Sequence, residues 1–424
     1  MKTGIRSQKH DRVHQSSIPV NRKILFSVFI LAVLVFLGWR LIRPMNVFIV
    51  SDAFERPVDS SEIPVPLRTL SASECGSCHA DFYAEWRTTI HSQAWTDPYF
   101  QTDWKFDNSQ FICRNCHTPL DRQQPYTILG FRDKDKWDPV LEPNPAFDAE
   151  LQHEGVTCAA CHLREGKIVG VLGGTNTPHP VKLLDDPNQV CVRCHVVEGD
   201  RWDTFFGFPP CGTVAEIEAT IQSSGHTGEI AVQSTSELGC VECHMPAVER
   251  PLVEGGETRT ARQHLWRGGH DPQMVKRGLK VELNEIASNR AGKRLFQLTL
   301  TNVGAAHYLP TGTPDRHLMV RISVMDKEGR LVKEQNHSLV RTVLWRPFIV
   351  DLRDTRLPRW QPRSYDFEFS TTGSSPPAVL QAEVHYYLVA ESRRKRIGYD
   401  NTEPTHFEVF KQRIELQSQE AGEG

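Results

Sequence analysis

Apolar residues run almost unbroken from Ile24 to Trp39 (ILFSVFILAVLVFLGW). With the following Arg40–Arg43 stretch, whose arginines can snorkel, the run reaches about 20 residues, enough for a helix to cross a bilayer. The next texture is different. From residue 71 to 275 little sustained amphipathic period appears, and only Ala80–Ile90 and Val214–Ser223 read as short helices. Beyond residue 276 the period becomes two, in Leu279–Asn284, Arg294–Thr301, His317–Met325, Leu331–Glu334, Ser338–Leu344, Ser364–Ser370, Leu380–Val389 and His406–Leu416. Turn residues such as Thr311-Gly-Thr-Pro-Asp315 and Lys327-Glu-Gly329 separate several of these runs. Seven or eight short alternating strands predict an antiparallel β-sandwich. The expected fold class is therefore α+β and multidomain: a mostly α-helical or irregular region, then the sandwich, with one N-terminal transmembrane helix.

This patterning divides the chain into a cytoplasmic N-terminus (1–23), a transmembrane anchor (24–43), a linker (44–70), a central domain (71–275), the β domain (276–416) and a polar tail (417–424). Pro57, Pro64 and Pro66 make the linker an extended tether. Lys2, Arg6, Lys9, Arg12, Arg22 and Lys23 precede the apolar run against only Asp11. The positive-inside rule then keeps the N-terminus in the cytoplasm and places the bulk of the chain in the periplasm. A cleaved signal peptide is the competing reading. The run ends Gly38-Trp39-Arg40-Leu41 with no small-x-small cleavage site, which favours a single-pass anchor in the inner membrane. Hydrophobic residues at 39% and charged residues at 24% exclude a disordered or polytopic membrane chain. A net charge of −3 speaks against nucleic acid as a partner.

Cysteine changes the picture most. Of 11 cysteines, ten fall into five copies of Cys-x-x-Cys-His: Cys75/Cys78/His79, Cys113/Cys116/His117, Cys158/Cys161/His162, Cys191/Cys194/His195 and Cys240/Cys243/His244. This is the attachment pattern of a c-type haem. Two thiols form thioethers with the porphyrin vinyl groups, and the adjacent imidazole becomes the proximal iron ligand. Zinc sites and disulfides also use cysteine pairs, but neither requires a histidine after every pair. Five covalently bound c-type haems are the expected cofactors.

Each iron has a second axial position, and histidine is the abundant candidate. His91 stands between Trp86 and Trp95; His153 lies just before the third motif, too close in sequence to fold easily over that same iron. His179 is stiffened by Pro178 and Pro180. His226, His264 and His270 follow in glycine- and arginine-rich segments. His307 sits in an irregular loop of the β region, Asn302–Gly312, which can reach back to cap a haem and lock the domains together. His317, His337, His385 and His406 fall in or beside strand patterns and read as structural. Met245 is badly placed to reach the iron of its own motif, Met274 has nothing in its favour, and Cys211 reads as an inert thiol.

The stretches Cys75–His79…Tyr83…Trp86…His91-Ser-Gln-Ala-Trp95, Phe111-Ile-Cys-Arg-Asn-Cys-His117-Thr-Pro and Glu154-Gly-Val-Thr-Cys158-Ala-Ala-Cys-His162 resemble multihaem cytochromes of the c-554/c-prime family, over roughly residues 71–245. The resemblance implies a periplasmic electron carrier with closely stacked, mostly bis-histidine haems, and makes His91 a distal ligand. Electron transfer to unidentified redox partner proteins is thus the first reading. A reductase or oxidase of a small nitrogen or sulfur compound at one open haem is the second. The pentahaem nitrite reductases resemble this chain in haem count, but their catalytic haem uses lysine where every motif here has histidine. A membrane-anchored quinol dehydrogenase is the third.

Overall fold

The computed structural model describes residues 22–42, 46–47, 49–173, 177–195, 202–223, 239–400 and 403–416. His226, residues 1–21 of the expected N-terminal segment and the tail 417–424 lie outside the described residues. The chain forms two compact units: Met1–Met45 with Trp345–Phe348, and Asn46–Leu344 with Ile349–Gly424.

In the first unit, Arg22–Ile42 is one helix of 21 residues with mean hydropathy 2.5, long and apolar enough to cross a membrane by length and composition. No proline interrupts it, and most of its apolar side chains are exposed on every side. Its last turn is pinned. Buried Arg40 donates through Nε to the Pro347 carbonyl at 2.9 Å, and Arg346 donates to the Leu41 carbonyl at 2.8 Å.

The second unit takes in both the motif region and the β region, so these do not separate at residue 275 into two compact bodies. In the C-terminal part, nine strands follow one another: β1 (Leu279–Ile286), β2 (Lys293–Asn302), β3 (His317–Met325), β4 (Leu331–Leu339), β5 (Arg341–Leu344), β6 (Ile349–Asp354), β7 (Arg363–Ser370), β8 (Val379–Tyr387) and β9 (His406–Glu415). The alternating segments of the sequence all fall in strands; β6 was not anticipated. Two antiparallel sheets result, ordered β7-β2-β1 and β4-β3-β8-β9. Alternation places Phe296, Leu298, Leu300, Phe367 and Phe369 of the first sheet in one buried cluster with Leu318, Val320, Ile322, Val324, Leu380, Ala382 and Val384 of the second. At about 1.5–3 kcal/mol per fully buried large aliphatic or aromatic side chain, this cluster is the main conventional core.

The motif region is built otherwise. Short helices carry the motifs: Ala72–Gly76, Phe111–His117, Cys158–His162, Gln189–His195 and Cys240–His244. Small hairpins not evident in the sequence brace them, Tyr126–Phe131 with Pro139–Pro143 and Ala247–Pro251 with Thr258–Arg262. Its largest buried apolar cluster is modest, Leu120, Leu151, Ala159, Ala160 and Leu163 together with Val58 and Leu70 of the segment expected as an extended tether. That segment instead packs against the motif region through these buried side chains and a Val58–Leu120 bridge.

A buried ion pair ties the two regions. Arg356, just after β6, donates to Glu216 of the helix Thr213–Ser223 at 2.5 Å and to Asp354 at 2.7 Å; the Arg356 and Glu216 side chains are 3% and 2% exposed. Burial pushes the Glu216 carboxyl up, and the adjacent guanidinium opposes that push. Arg356→Met is expected to destabilise the fold by about 3–5 kcal/mol, because it strands a buried carboxylate. Glu216→Gln combined with Arg356→Met should recover much of the loss. Urea midpoints followed by circular dichroism measure both, and equal midpoints for the single and double variants would refute the assignment.

Candidate cofactor sites in one cavity

All ten motif cysteines and all five motif histidines line a single cavity of about 2580 Å³. A pocket for one small molecule typically measures ~300–1,000 Å³, so this space suits several large bodies. Its walls are mostly apolar, with Phe82, Trp86, Ile112, Ile217, Val241 and Trp266 among them.

Four of the five motif histidines are oriented alike. Nδ1 of His79 bonds the Leu252 carbonyl at 2.8 Å; those of His117, His162 and His244 bond the carbonyls of Ala94, Val169 and Arg267, each at 2.7 Å. Engaging Nδ1 fixes the tautomer and leaves Nε2 as the free donor atom, the usual arrangement of a metal-ligating imidazole. Burial depresses His117 to about 4, so the ring is neutral and able to ligate near pH 7.

Three of these imidazoles face a second one. His79 faces His179 at 6.4 Å between ring centres, His162 faces His264 at 5.9 Å, and His244 faces His307 at 6.4 Å. A metal–nitrogen bond of about 2.0 Å on each side, plus about 1 Å from nitrogen to ring centre, requires roughly 6 Å. The spacing therefore fits an iron between each pair, and the thiols beside it fit the thioethers of a c-type haem.

Local structure sets each partner. His264 is held by its own N–H to Glu85 Oε2 at 2.7 Å, by Nδ1 to the Arg262 carbonyl at 2.9 Å, and edge-on by Phe82 and Trp266. Glu85 is itself fixed by a two-pronged ion pair with Arg250, both contacts 2.8 Å. The His307 loop is pinned by fully buried Asn302, whose amide donates to the carbonyls of His307 and Leu357. Burial lowers both His264 and His307 to about 4.

His91 is deeply enclosed; burial and then the charge of His195 hold it down to about 3. Its carbonyl approaches Gly155 so closely that a Cβ there would come within 2.8 Å of it, and Gly155 has φ +61°. Among the described histidines, His195 is therefore its strongest electrostatic neighbour. His117 and His195 differ from the three paired motif histidines, because no imidazole among the described residues lies at the pair spacing from either; Phe100 stacks on the His117 ring at 3.6 Å and 6°.

Two expected ligands have other surroundings. His153 ends the short helix Ala149–His153 on the exposed surface and lies outside the cavity lining, because that helix turns Leu151 inward instead. His270 lines the cavity, but its Nε2 lies 3.1 Å from Arg316 Nη2, which takes up the atom an iron would need. His317, His337 and His406 stack on tyrosines of the β region, away from the cavity. Cys211 lines the cavity and is felt electrostatically by Cys113 and Cys116. Arg316, Trp266 and Tyr386 also line it; nothing in their sequence context marks them.

The motifs are neighbours in space. The thiols of Cys75 and Cys158, of Cys116 and Cys194, and of Cys191 and Cys240 are near enough to perturb one another's ionisation. Cys161 is within electrostatic reach of Cys194. The first motif thus adjoins the third, the third the fourth, and the fourth both the second and the fifth.

The family model for cytochrome c554 and c-prime matches residues 74–135 and 190–265. A solved penta-heme cytochrome c552 from Thermochromatium tepidum has a similar fold, with a TM-score of 0.59 at 20% identity, covering 82% of this chain and 99% of that one. A structural-genomics target (TM-score 0.18, 15% identity, 34% of this chain and 88% of that one) and a putative ApaA protein from Bordetella pertussis (TM-score 0.16, 12% identity, 32% and 89%) also match, too weakly to carry an argument. No curated protein sequence matches the chain.

Proposed function

We propose that this chain, a multihaem c-type cytochrome of the c554 and c-prime family, is a pentahaem electron carrier held to the periplasmic face of the inner membrane by Arg22–Ile42. The observation that carries the reading is the contiguity of the five motifs around one cavity. Haem, when attached, supplies a one-electron iron couple. The chain's own residues do the rest. The cysteines fix position, the paired imidazoles hold the coordination shell constant between oxidation states, and the apolar walls keep water from the irons. Rigid coordination and short separations both favour fast transfer without substrate chemistry. The β region closes the array as a sandwich-like lid and supplies His307.

Pyridine haemochrome analysis is expected to give five haems per chain. Electron paramagnetic resonance of the ferric protein is expected to be dominated by low-spin signals. Fewer haems, or a mainly high-spin spectrum, would overturn the proposal.

One observation favours a second reading for one site. Neither His117 nor His195 has an imidazole at the pair spacing among the described residues, but His91 is coupled most strongly to His195 while Phe100 lies on the His117 ring, so the second motif is the better candidate for an open coordination position. There the chain would act as a reductase or oxidase of a small nitrogen or sulfur compound. A single high-spin ferric component that disappears on adding cyanide supports this reading. A new high-spin component in His226→Ala, absent from the parent, would sink it, since it would identify His226 as a ligand.

A further inference from the structure

Arg316 immediately precedes β3, and its guanidinium lines the cavity. It is half-buried, yet no carboxylate among the described residues lies within ion-pair distance of it. The acids around it are engaged elsewhere. Glu216 is held by Arg356 at 2.5 Å, and neighbouring Asp315 feels Arg393 and Asp103 most strongly among its charged neighbours. What Arg316 does contact is neutral. Nη2 lies 3.1 Å from His270 Nε2, Nη1 makes a long 3.5 Å contact with the Thr311 carbonyl, and the guanidinium also interacts with the Tyr386 hydroxyl. Burial, then Arg316 itself, lowers His270 to about 4, so the ring is an uncharged acceptor near pH 7.

The surrounding backbone is shaped around this group. A Cβ at Gly269 would fall 2.6 Å from the Tyr386 hydroxyl and 3.2 Å from Arg316 Nη1. One at Gly312 would meet Nη1 at 3.3 Å, and Gly312 has φ +97°. The Tyr386 side chain is 1% exposed, yet its hydroxyl reaches the cavity beside the guanidinium. A cation, a phenol and an imidazole whose remaining N–H is Nδ1 therefore converge in a mostly apolar space. An uncompensated guanidinium there is costly, whereas a planar carboxylate or oxyanion would satisfy it through two parallel N–H···O bonds.

We propose that Arg316, Tyr386 and His270 form an anion site inside the cavity, selective for a carboxylate or a small oxyanion. Arg316 is felt both by Cys211, beside the second motif, and by His195 of the fourth. Two sources share this chemistry: the propionate of a haem attached at either motif, or a free anion such as nitrite or sulfite. The propionate source rests on the haem reading above; the free-anion source deepens its second form.

The test uses the full-length, haem-loaded protein and its Arg316→Gln and Arg316→Lys variants, with haem content measured first so that failure of loading is recognised separately. Resonance Raman spectra in the propionate-bending region and optical titrations with nitrite and with sulfite are then recorded. A propionate-bending line that shifts in Arg316→Gln, with no anion titration in either protein, supports the site with a propionate occupant. A saturable anion response that weakens about tenfold or more in Arg316→Gln, the loss of one charged hydrogen bond, supports it with a free-anion occupant. Arg316→Lys keeps the charge and much of the stem but loses the planar fork, so it should show the same change in reduced measure. Identical propionate lines and identical titrations in parent and variants would overturn the proposal. If Arg316→Gln does not accumulate, Arg316→Lys alone decides between these outcomes.

Discussion

Replacing both Cys191 and Cys194 with alanine is expected to divide the electron path into separate segments. The fourth motif is the one whose thiols meet those of both the second and the fifth, and it is within electrostatic reach of the third. Losing it should leave the first and third motifs coupled to each other while isolating the second and fifth. Tunnelling rates fall exponentially with separation, so a single omitted site outweighs most changes of potential. The control is Cys75→Ala with Cys78→Ala, which removes an end of the chain. Each variant should lose one haem by mass. With a substoichiometric reductant, stopped-flow traces of the control should remain close to the parent, whereas the fourth-motif variant should gain a slow phase of internal equilibration. Matching kinetics in the two variants would show that the fourth motif is not the junction.

The second large effect is expected at His307. Its ring lies 6.4 Å from that of His244 with an interplanar angle of 14°. His307→Met would place a thioether opposite His244, and methionine stabilises ferrous iron relative to imidazole. One midpoint potential should rise by on the order of 0.1–0.2 V, a fraction of the ≈ 0.8 V that axial ligands span. The long-wavelength charge-transfer band of methionine-ligated ferric haem should appear alongside. His385→Met, on a strand of the β region outside the cavity lining, is the comparison and should move neither. If all five midpoints are unchanged in His307→Met, the facing of the two rings is not coordination.

The five Cys-x-x-Cys-His motifs are legible in the sequence because their pattern is local, two thiols and an imidazole within five positions, whatever the fold around them. The strands were legible for a similar reason, since Leu318, Val320, Ile322 and Val324 record burial residue by residue. Distal ligands are another matter. His79 meets His179 and His162 meets His264 across long stretches of chain, and sequence spacing carries no direction. Thus His153, expected to reach a neighbouring motif, is exposed outside the cavity lining, while His270 contacts Arg316. The small hairpins were hidden because Pro139–Pro143 is bounded by prolines and shows no clean alternation in burial. Arg316 could not be singled out because only the fold keeps it out of ion-pair distance of the carboxylates among the described residues.

The pinning of His307 by Asn302 and Leu357 bears on the order of biogenesis. The five attachment motifs leave the ribosome before any of the β region, and His307 itself belongs to the loop after β2. A haem attached at Cys240 and Cys243 would wait with one protein ligand until β2 and the segment around Leu357 had come together. On the proposed reading, completion of that coordination shell would then be a checkpoint on folding of the C-terminal half. A truncated or misfolded chain would carry its full complement of covalent haem and still betray itself by the spin state of one iron.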